Sequence, residues 1–349
     1  MYYKFKSIPK VTIKQNLRYK NTSIVTQKEY TCSYDMYQHD SPEFENVGIV
    51  YFPSLYSHKK TCANIAPILA QLATVFSLDY VGRGESDCLQ SGDEYILEQP
   101  KLDVANFFQI LQKEHNIKKF ILIGNSAGGF FSLNYMATTP NPKSILGCIL
   151  LDMLDKASRN NSNALLQKLR KFPILQLKPI LSTGILLNPL LLRHSLLSYK
   201  HLMNGIFNNS GKFTVDLTLA DSRDFSSLSF DLRHFRPKWR KLQIPIYCLV
   251  CGEDKDNNPY VTPELLDYWK HEKYFSYKIF PTYHPFLCIL KSEVEYIIQA
   301  CQEICKKAVN NLQISIDKPK ETSLHKLSII KNRCLNIYKN INLFTRGNN

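Results

Sequence analysis

The chain has 349 residues, of which 44% are hydrophobic and 21% charged, an ordinary globular composition that excludes wholesale disorder. Most of its net charge of +14 lies at the ends: residues 1–20 hold six Lys or Arg and no acidic residue, and residues 306–349 hold nine Lys or Arg and two acidic residues. The near-neutral body between them argues against a nucleic-acid enzyme. No run of about 18 apolar residues occurs and the basic N-terminus lacks the apolar core of a secretory signal, so we expect a cytoplasmic protein without a membrane-spanning helix.

Apolar runs and helical periods alternate along residues 47–152, and leading strands are expected before them in residues 1–46. Predicted strands lie at Gly48–Phe52, Val75–Asp79, Phe120–Ile123 and Ile145–Leu151, and predicted helices at Ala63–Leu72, Leu102–Glu114 and Gly129–Ala137. In the second helix, apolar residues at the helical spacing are Leu102, Ala105, Phe108 and Leu111, with Val104 and Phe107 beside them. Unbroken apolar strands that alternate with helices predict an α/β fold, a mostly parallel sheet with helices on both faces.

The alternation breaks over residues 153–240, which are Leu-rich and helical in pattern with Lys, Arg and Pro interspersed. It resumes over residues 241–306, where strands are predicted in IPIYCLVCG and at Phe275–Phe280, and helices at Pro263–His271 and Pro285–Lys306. A helical block between two strands of one sheet predicts an inserted cap, so that residues 47–152 and 241–306 form two parts of one core. Residues 307–349 are polar and basic and are predicted to form a tail.

The ten cysteines are expected to be reduced and buried, because a disulfide framework belongs to short secreted chains. Cys248 and Cys251 have the spacing of a metal or redox pair, but alternation along a buried strand places them on opposite faces. His194 and His201 share a helix face without Glu or Cys nearby. We therefore expect no metal and no cofactor.

The strongest chemical signal is the segment Gly124-Asn125-Ser126-Ala127-Gly128, which joins a predicted strand to a predicted helix. A G-x-S-x-G sequence at such a turn is typical of a nucleophile elbow, in which the serine takes a strained conformation and only small residues fit two positions before and after it. The hydroxyl then projects at a helix N-terminus, whose free N–H groups and dipole favour an oxyanion. Ser126 is therefore the candidate nucleophile, and the Ala127 N–H is one candidate oxyanion donor.

With this turn in place, most of residues 47–306 resemble the α/β-hydrolase superfamily. The segment after the first core strand is similar to the family's oxyanion loop, first helix and following strand with its D-x-x-G-x-G-x-S turn, here Asp79, Gly82, Gly84 and Ser86. More narrowly, VTPELLDYWKHEKYFSYKIFPTYHPFL resembles the C-terminal part of type II thioesterases, in which a Trp-containing helix precedes a strand and a catalytic histidine turn.

The resemblance implies the rest of a catalytic triad. His284 stands at the family's histidine position and is the candidate base for Ser126, in the chain order Ser, acid, His. The acid is expected in the turn after IPIYCLVCG, where the family's usual position holds Lys255 instead. The candidate acids are, in order of preference, Asp256, Asp254 and Asp152.

The second oxyanion donor is implied in the loop after GIVYF. The family often has His-Gly there, whereas this chain has Pro53-Ser54-Leu55, and the Leu55 N–H is the candidate donor. Loss of one such donor costs roughly a hundred- to a thousandfold in rate.

Taken together, the resemblance implies a serine hydrolase that cleaves an acyl ester or thioester. The Leu and Ile residues of the cap fit core packing between cap and sheet as well as an apolar acyl tunnel over Ser126, and the second interpretation favours a medium or long apolar acyl group of the kind found in lipid metabolism. Two alternatives stay open at this point: an acyltransferase on the same fold, and a ligand-binding protein that has lost catalysis. The expected partner is a small apolar substrate, and no nucleic acid is expected. The basic ends are expected to make at most a weak contact with an anionic membrane surface.

Overall fold

The computed structural model describes residues 4–18, 25–40, 42–54, 58–63, 65–81, 85–87, 98–152, 241–251, 272–280 and 291–311, with the backbone alone at 4–18, 25–30, 98–100 and 291. The predicted cap over residues 153–240, the predicted helix over Pro263–His271 and most of the predicted tail lie outside the described residues.

Eight strands form one sheet in this part of the chain. They are β1 (Lys4–Arg18), β2 (Val25–Gln38), β3 (Val47–Phe52), β4 (Thr74–Leu78), β5 (Lys119–Asn125), β6 (Ile145–Leu151), β7 (Ile246–Cys251) and β8 (Phe275–Phe280). Their order across the sheet is β1-β2-β4-β3-β5-β6-β7-β8. β2 runs antiparallel to both β1 and β4, and all other neighbours are parallel. The predicted fold class is therefore confirmed.

Helices cover both faces of the sheet. They are α1 (Ala66–Leu69), α2 (Glu98–Glu114), α3 (Ala127–Thr138) and α4 (Lys291–Asn310). Alternate residues of each central strand enter one of two buried clusters: Val50 and Leu122 pack with α2 and α3, whereas Ile49 and Ile121 pack with α1 and α4. Because both faces are covered, β3, β4, β6 and β7 are buried at every residue, which explains their unbroken apolar sequences.

Two sequence predictions of helices need correction. The single helix expected over Ala63–Leu72 is a 3-10 helix at Lys59–Cys62 followed by the four-residue α1, because Pro67 fits only the first turn of an α-helix and disfavours helical backbone before it. In α2 the buried stripe is formed by Val104, Phe107, Phe108 and Leu111. Leu102, which was expected on that stripe, is 41% exposed.

The cysteines of the described residues are all free and buried. Cys248 belongs to the cluster with α2 and α3, and Cys251 to the cluster with α1 and α4, so the two thiols lie on opposite faces as predicted. Burial raises the pKa of the Cys248 thiol well above its usual range. None of the helices described here has both the length and the apolar character needed to cross a bilayer.

Candidate active site

Ser126 lies in the turn between β5 and α3. Its backbone has φ 52° and ψ −118°, a positive φ that is rare for a residue other than glycine. The Ser126 N–H donates to the carbonyl oxygen of Leu151, at the end of β6, over 2.9 Å, and the Ser126 carbonyl oxygen accepts from the Gly129 N–H over 2.9 Å. A backbone strained in this way, and held from both sides, is typical of functional positions.

The two glycines of the G-x-S-x-G sequence are required by close backbone approach. A Cβ at Gly124 would lie 2.5 Å from the carbonyl oxygen of Gly128, where α3 passes over the end of β5. A Cβ at Gly128 would lie 2.7 Å from the carbonyl carbon of Phe52 and 2.7 Å from the carbonyl oxygen of Pro53. The start of α3 therefore packs directly on the loop that follows β3.

The N-terminus of α3 provides the first candidate oxyanion donor. Ala127 is the first residue of the helix, so its N–H has no acceptor within the helix. The helix dipole adds a partial positive charge at the same end. This position suits a negative oxygen that forms on a carbonyl carbon bonded to Ser126.

The loop after β3 is described at both ends. Pro53 and Ser54 leave the strand, and His58 caps the 3-10 helix, with its Nδ1 accepting from the Lys60 N–H over 3.4 Å. Leu55, the second candidate donor, lies outside the described residues, so its role stays a prediction.

His284, Asp254 and Asp256 also lie outside the described residues. The strands that precede them are described: β7 ends at Cys251 and β8 at Phe280, and both run parallel to β6. Parallel strands present their carboxyl ends at one edge of a sheet, which is the edge where Ser126 lies. The assignment of base and acid stays a prediction.

Asp152, the third candidate acid, is described and already engaged. It follows β6 with φ 46° and is fully buried. Its Oδ1 accepts from the Cys251 N–H over 3.1 Å, and its own N–H donates to the Leu249 carbonyl oxygen over 2.7 Å. Asp152 thus fixes the end of β7, from which the chain continues towards the other two candidates.

The predicted D-x-x-G-x-G-x-S turn begins at the end of β4, and its polar residues bind β2. The Asp79 N–H donates to the Ser33 carbonyl oxygen over 2.8 Å, and the Ser86 hydroxyl donates to the Asp79 carbonyl oxygen over 2.7 Å. Burial raises the pKa of the Asp79 carboxyl to about 7, although its oxygens accept from the N–H groups of Glu85 and Lys59. Gly82 and Gly84 lie outside the described residues.

Sequence reasoning missed a buried charge beside this turn. Lys59 and Asp35 are both fully buried, and Lys59 Nζ lies 3.1 Å from Asp35 Oδ1. The available signal was an aspartate within the otherwise uncharged strand segment Tyr34–Tyr37, because a buried carboxylate needs a partner. Within the described residues, no group of three or more His, Cys, Asp or Glu is arranged to hold a metal ion.

Comparisons with known proteins support the fold. A family model described as alpha/beta hydrolase fold matches residues 49–288. No curated protein sequence matches the chain significantly. Among solved structures, a hydrolase from Pseudomonas aeruginosa PA01 is similar with a TM-score of 0.56 and 16% identity, covering 84% of this chain and 98% of that one.

Two further solved structures are similar to a comparable degree. An enol-lactonase from Burkholderia xenovorans LB400 has a TM-score of 0.55 and 15% identity, covering 81% of this chain and 97% of that one. A thioesterase domain from the curacin biosynthetic pathway has a TM-score of 0.53 and 15% identity, covering 84% of this chain and 99% of that one. At these identities the likeness shows a shared fold.

Proposed function

Because the chain belongs to the alpha/beta hydrolase fold family, we propose that it is a serine hydrolase that cleaves an acyl ester or thioester. The observation that carries this proposal is the conformation of Ser126, held at positive φ between the end of β5 and the N-terminus of α3. A serine presented in this way, with an unoccupied helical N–H beside it, suits nucleophilic attack on a carbonyl group.

In the proposed reaction, Ser126 Oγ bonds to the substrate carbonyl carbon while His284 takes the hydroxyl proton. The carbonyl oxygen becomes an oxyanion that accepts hydrogen bonds from the Ala127 and Leu55 N–H groups. The carbon–oxygen or carbon–sulfur bond of the substrate then breaks, and the leaving alcohol or thiol takes the proton from His284. Water attacks the acyl-enzyme with the same base, which releases the acid and restores Ser126.

Asp256 or Asp254 is proposed to accept from the Nδ1–H of His284 and to fix its tautomer. Asp152 is the less suitable acid, since its Oδ1 is already bonded to the Cys251 N–H. Asp152 would then support the acid turn by holding Cys251, the last residue of β7 before that turn, in place.

An apolar acyl group is the proposed substrate class. The Leu-rich sequence of residues 153–240 supports it, and the likeness to a thioesterase domain is compatible with a thioester as well as an ester. An acyltransferase is the second candidate: there the acyl group passes from Ser126 to an alcohol instead of to water, and the experiment below distinguishes the two outcomes.

The test is covalent labelling of the folded chain with a fluorophosphonate, followed by hydrolysis of acyl esters and thioesters of graded chain length. Ser126→Ala should remove both labelling and turnover. Ser132→Ala is the matched control, because Ser132 is a buried serine of the same helix whose hydroxyl donates to the Gly128 carbonyl oxygen over 2.8 Å. The control should keep both activities.

Full turnover by Ser126→Ala would refute the proposal. Absence of labelling in the folded wild type, with a bound ester recovered intact, would favour a ligand-binding protein. Transfer of the acyl group to an added alcohol in preference to water would favour an acyltransferase.

A further inference from the structure

The end of the loop after β3 carries a cation that has no access to solvent. Lys59 directly follows His58 and opens the 3-10 helix, and its side chain is fully buried. An ammonium group in this position is costly to bury unless its protons meet acceptors and its charge is balanced. The groups that accept these protons and balance this charge therefore indicate what Lys59 does.

The Lys59 ammonium reaches three groups on two other segments. Its Nζ donates to Ser33 Oγ over 2.5 Å and to Glu85 Oε2 over 2.7 Å, and it lies 3.1 Å from Asp35 Oδ1. Ser33 and Asp35 belong to β2, whereas Glu85 belongs to the turn after β4. The side chain therefore ties the end of the loop to β2, which lies between β1 and β4, and to a turn that is distant in sequence.

The backbone of the same residue makes a further tie. The Lys59 N–H donates to Asp79 Oδ1 over 2.6 Å, and the Glu85 N–H donates to Asp79 Oδ2 over 3.0 Å. Burial lowers the pKa of Lys59, but its contacts with Glu85, Asp79 and Asp35 outweigh burial and raise that pKa above the ordinary value. Lys59 is thus charged at neutral pH.

The loop is held at its other end by the nucleophile helix. Gly128 lies against the backbone of Phe52 and Pro53 so closely that no side-chain carbon fits between them. Only the residues from Ser54 to His58 separate this contact from Lys59. Both ends of this loop are therefore fixed, one by backbone packing against α3 and the other by the bonds of Lys59.

We propose that Lys59 is a positioning residue for the oxyanion-binding loop, whose end its buried ammonium holds against β2 and the turn that carries Glu85. The inference rests on the proposed function, because it gives Lys59 a catalytic consequence only through an oxyanion on a substrate bonded to Ser126. Lys59 itself does not touch the reacting atoms.

The test compares Lys59→Met with Lys60→Met. Methionine keeps most of the length of the side chain and removes the charge. Lys60 is a matched control, because it is the adjacent lysine and its Nζ bonds the other oxygen of Glu85 over 2.8 Å, but its side chain is 41% exposed. Exposed ion pairs of this kind contribute little. Both variants are titrated with a fluorophosphonate, so that all rates refer to labelled sites.

Four quantities are measured: kcat per labelled site and KM for an acyl ester, inhibition by a trifluoromethyl ketone, and inhibition by the matching methyl ketone. A trifluoromethyl ketone adds to a serine Oγ, the serine proton passing to the base, and so places an oxyanion in the site. The methyl ketone stays largely unreacted and reports ground-state binding.

Lys59→Met should lower kcat by about ten- to a hundredfold and weaken inhibition by the trifluoromethyl ketone by a similar factor. The reason is that a shift of the N–H donor in the oxyanion-binding loop weakens oxyanion binding. KM and methyl ketone inhibition should stay within about threefold, and Lys60→Met should match the wild type in every quantity. If kcat and trifluoromethyl ketone inhibition per site are unchanged in Lys59→Met while its melting temperature falls, the inference is overturned.

Lys59→Met alone leaves Asp35 buried without its cation, so Lys59→Met/Asp35→Asn serves as the second variant and is judged by the same criteria. If neither variant folds, the inference is also overturned, because the ion pair then serves the stability of the whole sheet. A wild type that is not labelled at Ser126 refutes the proposed function itself. If the wild type is labelled and active and Lys59→Met has the same kcat, the role of Lys59 is refuted and the proposed function is not.

Discussion

Gly128→Ala is the substitution for which the structure gives the most direct magnitude. The added Cβ would lie 2.7 Å from the carbonyl carbon of Phe52 and closer still to the carbonyl oxygen of Phe52, whereas carbon atoms pack at about 3.5 Å, so α3 and the loop after β3 must separate by at least about 0.8 Å. Both partners are backbone and neither can rotate away. A displacement near 1 Å in a catalytic arrangement costs up to about a hundredfold, so kcat should fall by about ten- to a hundredfold. Overpacking should also lower the free energy of unfolding by about 1–3 kcal/mol.

Gly48→Ala is the matched control for this prediction. Gly48 lies on the same strand as Phe52 but at its other end, and its added Cβ would lie 2.8 Å from Cγ2 of the Ile117 side chain, which can adjust. Unfolding in urea and kcat per fluorophosphonate-labelled site are measured for both variants. We expect both to lose stability but Gly48→Ala to keep kcat within about twofold. If Gly128→Ala is destabilised yet keeps the wild-type kcat, the contact of α3 with the loop does not position the site.

Two further predictions concern buried carboxyl groups. The Asp79 pKa is raised from about 4 to about 7 in the folded state, so between these pH values the folded chain holds a proton that the unfolded chain releases. The free energy of unfolding should therefore fall as pH rises from about 4 to about 7, by an amount on the order of 4 kcal/mol at most. Asp79→Asn should remove this fall, and urea unfolding curves of both proteins across that range check it; parallel curves would contradict the prediction. For Asp152, asparagine keeps an oxygen that can accept from the Cys251 N–H, so Asp152→Asn should change kcat by less than about tenfold, whereas replacement of the true triad acid, Asp254 or Asp256, by asparagine should cost about ten-thousandfold. A loss of the larger size in Asp152→Asn would make Asp152 the acid.

The sequence predicts the sheet well where one short-range pattern determines the structure. Ile145–Leu151 is predicted with the bounds it has, because an apolar run between polar residues marks a buried strand of that length. Phe275–Phe280 is also predicted with its observed bounds, although Ser276 and Lys278 of that strand are exposed. The turn at Ser126 is equally local, since its constraints are carried by Gly124 and Gly128 within five residues.

Features that depend on distant parts of the chain are less accessible from the sequence. Leu102 lies outside the buried stripe of α2 because the orientation of the helix on the sheet, and not its period alone, determines what is buried. The pairing of Lys59 with Asp35 and Glu85 joins residues more than twenty positions apart, and although Asp35 within an apolar strand indicates a buried charge, the sequence does not identify its partners. Only the fold brings them together.

The attachment of the β1–β2 hairpin to the sheet has a consequence for how the protein loses activity. β2 pairs with β1 from Val25 to Gln38 but with β4 only from Tyr34 to Tyr37, and Asp35, which receives the Lys59 cation, lies inside that short junction. Separation of the hairpin from the sheet would therefore break the Lys59–Asp35 ion pair at the same time as the pairing of β2 with β4. If heat or denaturant opens this border first, turnover should fall while the parallel strands remain folded, so a loss of activity would precede the unfolding of the central sheet.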